Sequence, residues 1–199
     1  MTDNITTPAT FIPVHGLAFG AEDTEATMVT ANNPLPVDSP ISLQAINGTG
    51  YLASTGMQAA VSGDTAQIII ENPAASGKLI VIWQRWFDAN QTTGTPVEYR
   101  AFVNPTATLG SSVPQANLRL GSSNTTVALT TFSVGTGLSM GGIAASSAPI
   151  ALDGNRSVIE LPVVINEGQK LGFQIDGGGQ NIQQSIRVGI TLLFYEVSL

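Results

Sequence analysis

His15 is the single histidine of the chain, and there is no cysteine. A Ser-His-Asp triad would have to use that imidazole as its base, and a zinc site needs several nitrogen or sulfur ligands. His15 stands in a proline-rich stretch with no nucleophile elbow nearby, so it reads as an ordinary polar residue. Glycoside hydrolysis needs only two carboxylates. Glu98, Glu160 and Glu196 stand in strand-like text and are the candidates for such a pair. Clefts for organic ligands are lined largely by apolar and aromatic side chains, however, and beyond Trp83 and Trp86 only three tyrosines are available as platforms for a sugar. Trp83 falls in the most apolar strand. Gly177-Gly178-Gly179 follows a strand, but neither a lysine nor a helix comes after it to hold a phosphate, so it reads as a hairpin tip. Asp153-Gly154-Asn155 lacks the further acidic ligands of a calcium loop. The sequons at Asn4, Asn47, Asn90, Asn124 and Asn155 follow from an Asn-, Ser- and Thr-rich composition. The inventory offers no catalytic, cofactor or metal site, and a non-enzymatic protein is expected.

The elements that would carry any such site are strands. Thr65–Glu71 is rich in β-branched residues and closes at the turn signal Asn72-Pro73. Lys78 to Asp88 contains Leu79-Ile80-Val81-Ile82-Trp83, apolar on both faces and therefore central. Pro96–Val103 and Thr125–Val134 read as further strands. Leu171, Phe173 and Ile175 alternate with Gly172, Gln174 and Asp176. In the last strand Ile186, Val188, Ile190, Leu192 and Phe194 share one side, which is the period of a half-buried strand. Asp153-Gly154-Asn155 and Glu167-Gly168-Gln169 are turns. Helical spacing is never sustained, and Met57–Val61 is the one place where a short helix is expected. Many short strands with Gly, Pro and Asn punctuation predict an all-β fold, an antiparallel sandwich of jelly-roll type over residues 41–199.

Residues 1–40 differ. Prolines at 8, 13, 34, 36 and 40 hold the backbone extended, and the apolar patches around Phe11, Ile12, Leu17 and Phe19 have no helical spacing. An extended N-terminal arm is expected there. No positively charged leader followed by an apolar run opens the chain, so no secretory signal is expected. No apolar run is long enough to span a bilayer, and no membrane partner is expected.

Charged residues make up 11% of the chain, against roughly 25% in ordinary globular domains. The net charge of −7 belongs entirely to residues 1–77, which hold seven acids and no Lys or Arg. No basic patch is available to neutralise phosphates, so no nucleic-acid partner is expected. Leu120 to Leu152 contains no ionisable side chain. Within it, Leu138, Met140 and Ile143 lie among glycines in an expected loop, Gly135–Pro149. A loop that exposed those side chains would mark a subunit contact, so a homo-oligomer is expected, with a trimer favoured.

Ala31-Asn32-Asn33-Pro34-Leu35-Pro36-Val37 resembles the "A-x-N-P-L-P-V" phrase near the N-terminus of many tailed-phage virion proteins. Glu71 to Leu79 is similar to the "N-P-A-G-S-G-K" turn that opens a jelly-roll strand in the same proteins, and Arg187–Glu196 resembles their closing strand. The resemblance touches both ends and part of the middle of the chain. It implies a virion location, contact with the major capsid or other virion proteins, and the role of a capsid decoration (cement) protein. A tail or neck appendage, or a receptor-binding protein, is the alternative, and a carbohydrate-binding module the more distant one. No functional position of the family is carried over. The expected contact residues are Phe11, Ile12, Leu17, Phe19, Pro34, Leu35 and Pro36 of the arm, with Leu138, Met140 and Ile143 of the loop.

Overall fold

The computed structural model describes residues 40–90, 97–150, 157–178 and 180–199. The expected arm, apart from Pro40, lies outside the described residues, as do His15 and the Asp153-Gly154-Asn155 turn. Among the described residues one helix, α1 (Pro40–Ile46), precedes thirteen strands. These are β1 (Gly50–Ser54), β2 (Gln58–Ala60), β3 (Asp64–Glu71), β4 (Lys78–Asn90), β5 (Val97–Val103), β6 (Ser111–Ser112), β7 (Gln115–Asn117), β8 (Leu129–Thr136), β9 (Ile143–Ile150), β10 (Ser157–Ile159), β11 (Val163–Ile165), β12 (Lys170–Asp176) and β13 (Ile186–Ser198).

The pairing of these strands is nested. The first strand, β1, pairs the last, β13, and inside that β3 pairs β12. Next inward β4 pairs β10 and β11, and innermost β5 pairs β9. Rolled up, the nest gives two antiparallel sheets. The seven-stranded sheet runs β10-β4-β13-β1-β7 with β11 also on β4 and β2 on β13, and the six-stranded sheet runs β6-β8-β3-β12-β5-β9. This is the jelly-roll order expected from the sequence, with β2, β6, β7 and β8 as additions. The longest ladder joins β4 and β13, each of 13 residues. Trp83 is its bulged residue: Gln84 stands opposite Leu193, and Ile82 opposite Phe194.

The core lies between the sheets. Ile80, Ile82, Phe87, Ile190, Leu192 and Phe194 from one sheet meet Ile68, Ile70, Phe173 and Ile175 from the other. Full burial of such a side chain contributes about 1.5–3 kcal/mol, against about 1 kcal/mol for a neutral hydrogen bond, so this layer dominates stability. Phe87 stacks on Tyr99 at 4.3 Å and meets Phe173 edge-on at 5.6 Å. Arg85, also on β4, is buried in the same layer. Its Nη2 donates to the Leu161 carbonyl at 2.7 Å, and its guanidinium lies 5.6 Å from the Phe173 ring centre. Burial lowers its pKa, partly offset by Tyr99. Tyr51 is shifted upward, first by burial and then by Glu196, against a hydrogen bond with Asn117.

Three local expectations are corrected. Met57–Val61 is not helical; its centre is β2, paired with Ile186–Val188 of β13. The helix is instead Pro40–Ile46, with proline at its first position and Gly48 at φ 72° just beyond its end. The strand expected over Thr125–Val134 begins only at Leu129, because Glu196 takes the Thr126 hydroxyl and the Val127 N–H out of the ladder.

The expected loop Gly135–Pro149 is the fourth correction. Its second half, from Ile143 on, is strand β9, the edge of the six-stranded sheet. Met140, expected at a subunit contact, is only 1% exposed and packs with Ile69, Phe102 and Leu109 of its own chain. The Met140 carbonyl accepts hydrogen bonds from the N–H groups of Thr106 and Ala107. The turn 137–142 and the segment 104–110 are thereby tied together over the outer face of the sheet. Gly142 allows this approach: at φ 76°, a Cβ there would stand 2.7 Å from the Val103 carbonyl oxygen. Leu138 is half-buried, whereas Ile143 is 73% exposed at the start of β9.

Candidate functional site

The carboxylates that were the only candidates for a glycosidase pair, in a chain expected to be non-enzymatic, stand on separate elements. Glu98 is on β5, in the six-stranded sheet. Glu160 follows β10 at the margin of the other sheet and accepts from Gln84 Nε2 at 2.7 Å. Glu196 is buried on β13 as the acceptor that ties down Thr126 and Val127. Gly177, whose N–H donates to the Gln180 carbonyl, belongs to the β12–β13 connection. Among the described residues no cluster of three His, Cys, Asp or Glu side chains could hold a metal ion, and no helix is long and apolar enough to cross a membrane.

Two other features stand out. The first is the solvent side of the seven-stranded sheet. Side chains alternate across a strand, so the neighbours of the core residues in β4, β13 and β1 point outward. Val158, Trp86 and Thr191 form one cross-strand row. Leu193, Leu52 and Ala116 form a second, and Val164, Val81 and Tyr195 a third. Val158 and Val164 are exposed, and Trp86, Leu193, Leu52 and Tyr195 are half-buried. These three rows carry no charged side chain.

The second feature is a pocket of about 240 Å³ on the outer face of the six-stranded sheet. Its floor is a polar network on β3, β12 and β5. Gln67 Nε2 donates to Gln174 Oε1 at 2.8 Å, and Gln174 Nε2 donates to Asp176 Oδ2 at 2.7 Å. Arg100 meets the same carboxylate oxygen through Nε at 2.7 Å and through Nη2. The direction of the relay follows from the carboxylate, which only accepts. Asp176 is fully buried, whereas the Arg100 side chain is 28% exposed and reaches the pocket. Phe102, Leu138 and Met140 form the apolar wall, and Ser139, Gln180 and Asn181 the polar rim. Thr65 also lines the pocket, and its Oγ1 is buried without a hydrogen-bond partner among the described residues.

Comparison with known proteins identifies no relative. No protein-family model, no curated protein and no solved structure matches the chain. The site must be read from its own chemistry.

Of the sequence-derived contact residues, those of the arm lie outside the described residues. Ile143 lies exposed on an edge strand, and Leu138 and Met140 belong to the pocket wall. Sequence reasoning missed both features. Trp86 was legible as outward-facing once Phe87 was placed inward. The pocket had no local signal, since its members come from four separate stretches of chain.

Proposed function

We propose that this chain is a non-enzymatic structural subunit of a phage particle, of capsid-decoration type, whose copies associate through the outer face of the seven-stranded sheet. The uncharged aromatic and aliphatic rows on that face carry the reading. Apolar patches that remain at the surface of a folded chain mark contact sites, and interface cores are enriched in Trp and Tyr and depleted in charge. Rows without charge also do not repel the same rows of a second copy, which suits closed homo-oligomeric symmetry. The low overall charge and the resemblance of three short phrases to tailed-phage virion proteins support the particle context. Jelly rolls serve in both capsid and lectin domains, so the fold alone does not choose between them.

Light scattering coupled to size-exclusion chromatography tests the association. The parent chain should be oligomeric at micromolar concentration, and Trp86→Lys should weaken association about a hundredfold or more, because a buried unpaired charge costs several kcal/mol. The circular-dichroism spectrum of the variant should match the parent. A monomeric parent, or a variant of unchanged mass, would sink the homo-oligomer. Mass spectrometry of gradient-purified particles tests the context: particles produced without this chain would exclude the virion role.

A further inference from the structure

The pocket on the six-stranded sheet lies on the other sheet from the association face, and its chemistry is different. We propose that it binds one small neutral polyol unit, of the size of a single sugar ring. Charge decides against ionic ligands. Arg100 is the charged residue among its lining side chains, and the buried Asp176 neutralises it. An anion would have to compete with that carboxylate, and a cation would meet the guanidinium.

The hydrogen-bonding groups fit hydroxyls. The rim side chains of Ser139, Gln180 and Asn181 each offer both donor and acceptor capacity, as a sugar hydroxyl does. Of the apolar lining residues Leu138 is half-buried, whereas Phe102 and Met140 are buried, so the polar groups carry the recognition. Size limits the ligand to one unit: 240 Å³ corresponds to about eight waters of liquid and falls below the roughly 300–1,000 Å³ of pockets for drug-sized molecules.

Saturation-transfer NMR on the full chain, with glucose, galactose and N-acetylglucosamine as separate probes at millimolar concentration, tests the site. At least one should receive saturation and shift the backbone amides of Ser139, Gln174, Gln180 and Asn181. Gln180→Ala and Asn181→Ala alter exposed side chains, so they should keep the parent's melting temperature while reducing affinity about tenfold. Sodium sulfate should not displace the bound sugar, and Trp86→Lys should bind it as the parent does. The proposal is overturned if all three sugars are silent, if the shifts cluster elsewhere, or if sulfate competes. Failure of oligomerisation leaves this binding intact, so the two readings fall separately.

Discussion

Arg85 is buried and Arg100 half-buried, and among the described residues only Arg100 meets a carboxylate. Arg100 and Asp176 form a partly shielded ion pair, extended by Gln174 and Gln67. Removing one partner of such a pair leaves the other uncompensated, which is costlier than the pair is beneficial. Arg100→Met should therefore lower stability by about 2–4 kcal/mol, allowing for the guanidinium's partial exposure. The double change Arg100→Met with Asp176→Asn should recover most of it. Arg85 lies within the core, with a hydrogen bond to a carbonyl and a buried Nε that has no partner among the described residues. Its desolvation is uncompensated already, so Arg85→Met should leave stability within about 1 kcal/mol of the parent or raise it. Urea denaturation of the four proteins measures all of this. A loss at Arg85 as large as at Arg100 would mean that the buried guanidinium has a partner beyond those described.

Among the elements, the outer cover of the six-stranded sheet depends on one missing side chain. Gly172 on β12 lies under Met140, and a Cβ there would stand 2.8 Å from the Met140 sulfur and 3.1 Å from Pro105 Cγ. Overpacking costs about 1–3 kcal/mol, and Gly172→Ala should cost that much. Met140 is the longer and more adaptable neighbour, so Met140→Ala should partly rescue Gly172→Ala although it is destabilising alone. Thermal denaturation in a double-mutant cycle reads the coupling, and strictly additive losses would refute this packing. The same geometry decides the outcome of Met140→Asp. A carboxylate at a position buried within the chain weakens the fold itself, so loss of the cooperative melt should precede any change in association. For subunit contacts, Trp86 is the informative position.

At the level of the whole molecule, Ser39–Leu199 forms one compact unit, and nested pairing brings its first and last strands side by side. A unit that closes its own core should fold without what precedes it. A fragment of residues 39–199 should give a β-rich circular-dichroism spectrum and a single cooperative melt. If the expected arm serves assembly, that fragment will fold yet enter particles less than the full chain. A non-cooperative fragment would make the N-terminal residues part of the fold, and incorporation at the parental level would remove the arm from the assembly.

The sequence by itself determined the class of fold, because strand period is a local property. The alternation from Ile186 to Phe194 and the β-branched run around Ile68–Ile70 leave no other reading, and the turns at Asn72-Pro73 and Glu167-Gly168 follow from residue types alone. Low charge was equally legible. Tertiary structure alone decided which face of each sheet is covered. Met140 stands among glycines with no periodic neighbours, so nothing local distinguishes an exposed methionine from a buried one. Its burial follows from hydrogen bonds to Thr106 and Ala107 and from the flat surface that Gly172 leaves, more than thirty residues away in either direction. Thr65, Arg100, Gln174 and Asn181 likewise converge only when β3, β5 and β12 lie side by side and the β12–β13 connection turns back beside them. Such long-range registers leave no periodic trace in any one segment, which is why the pocket emerged only with the fold.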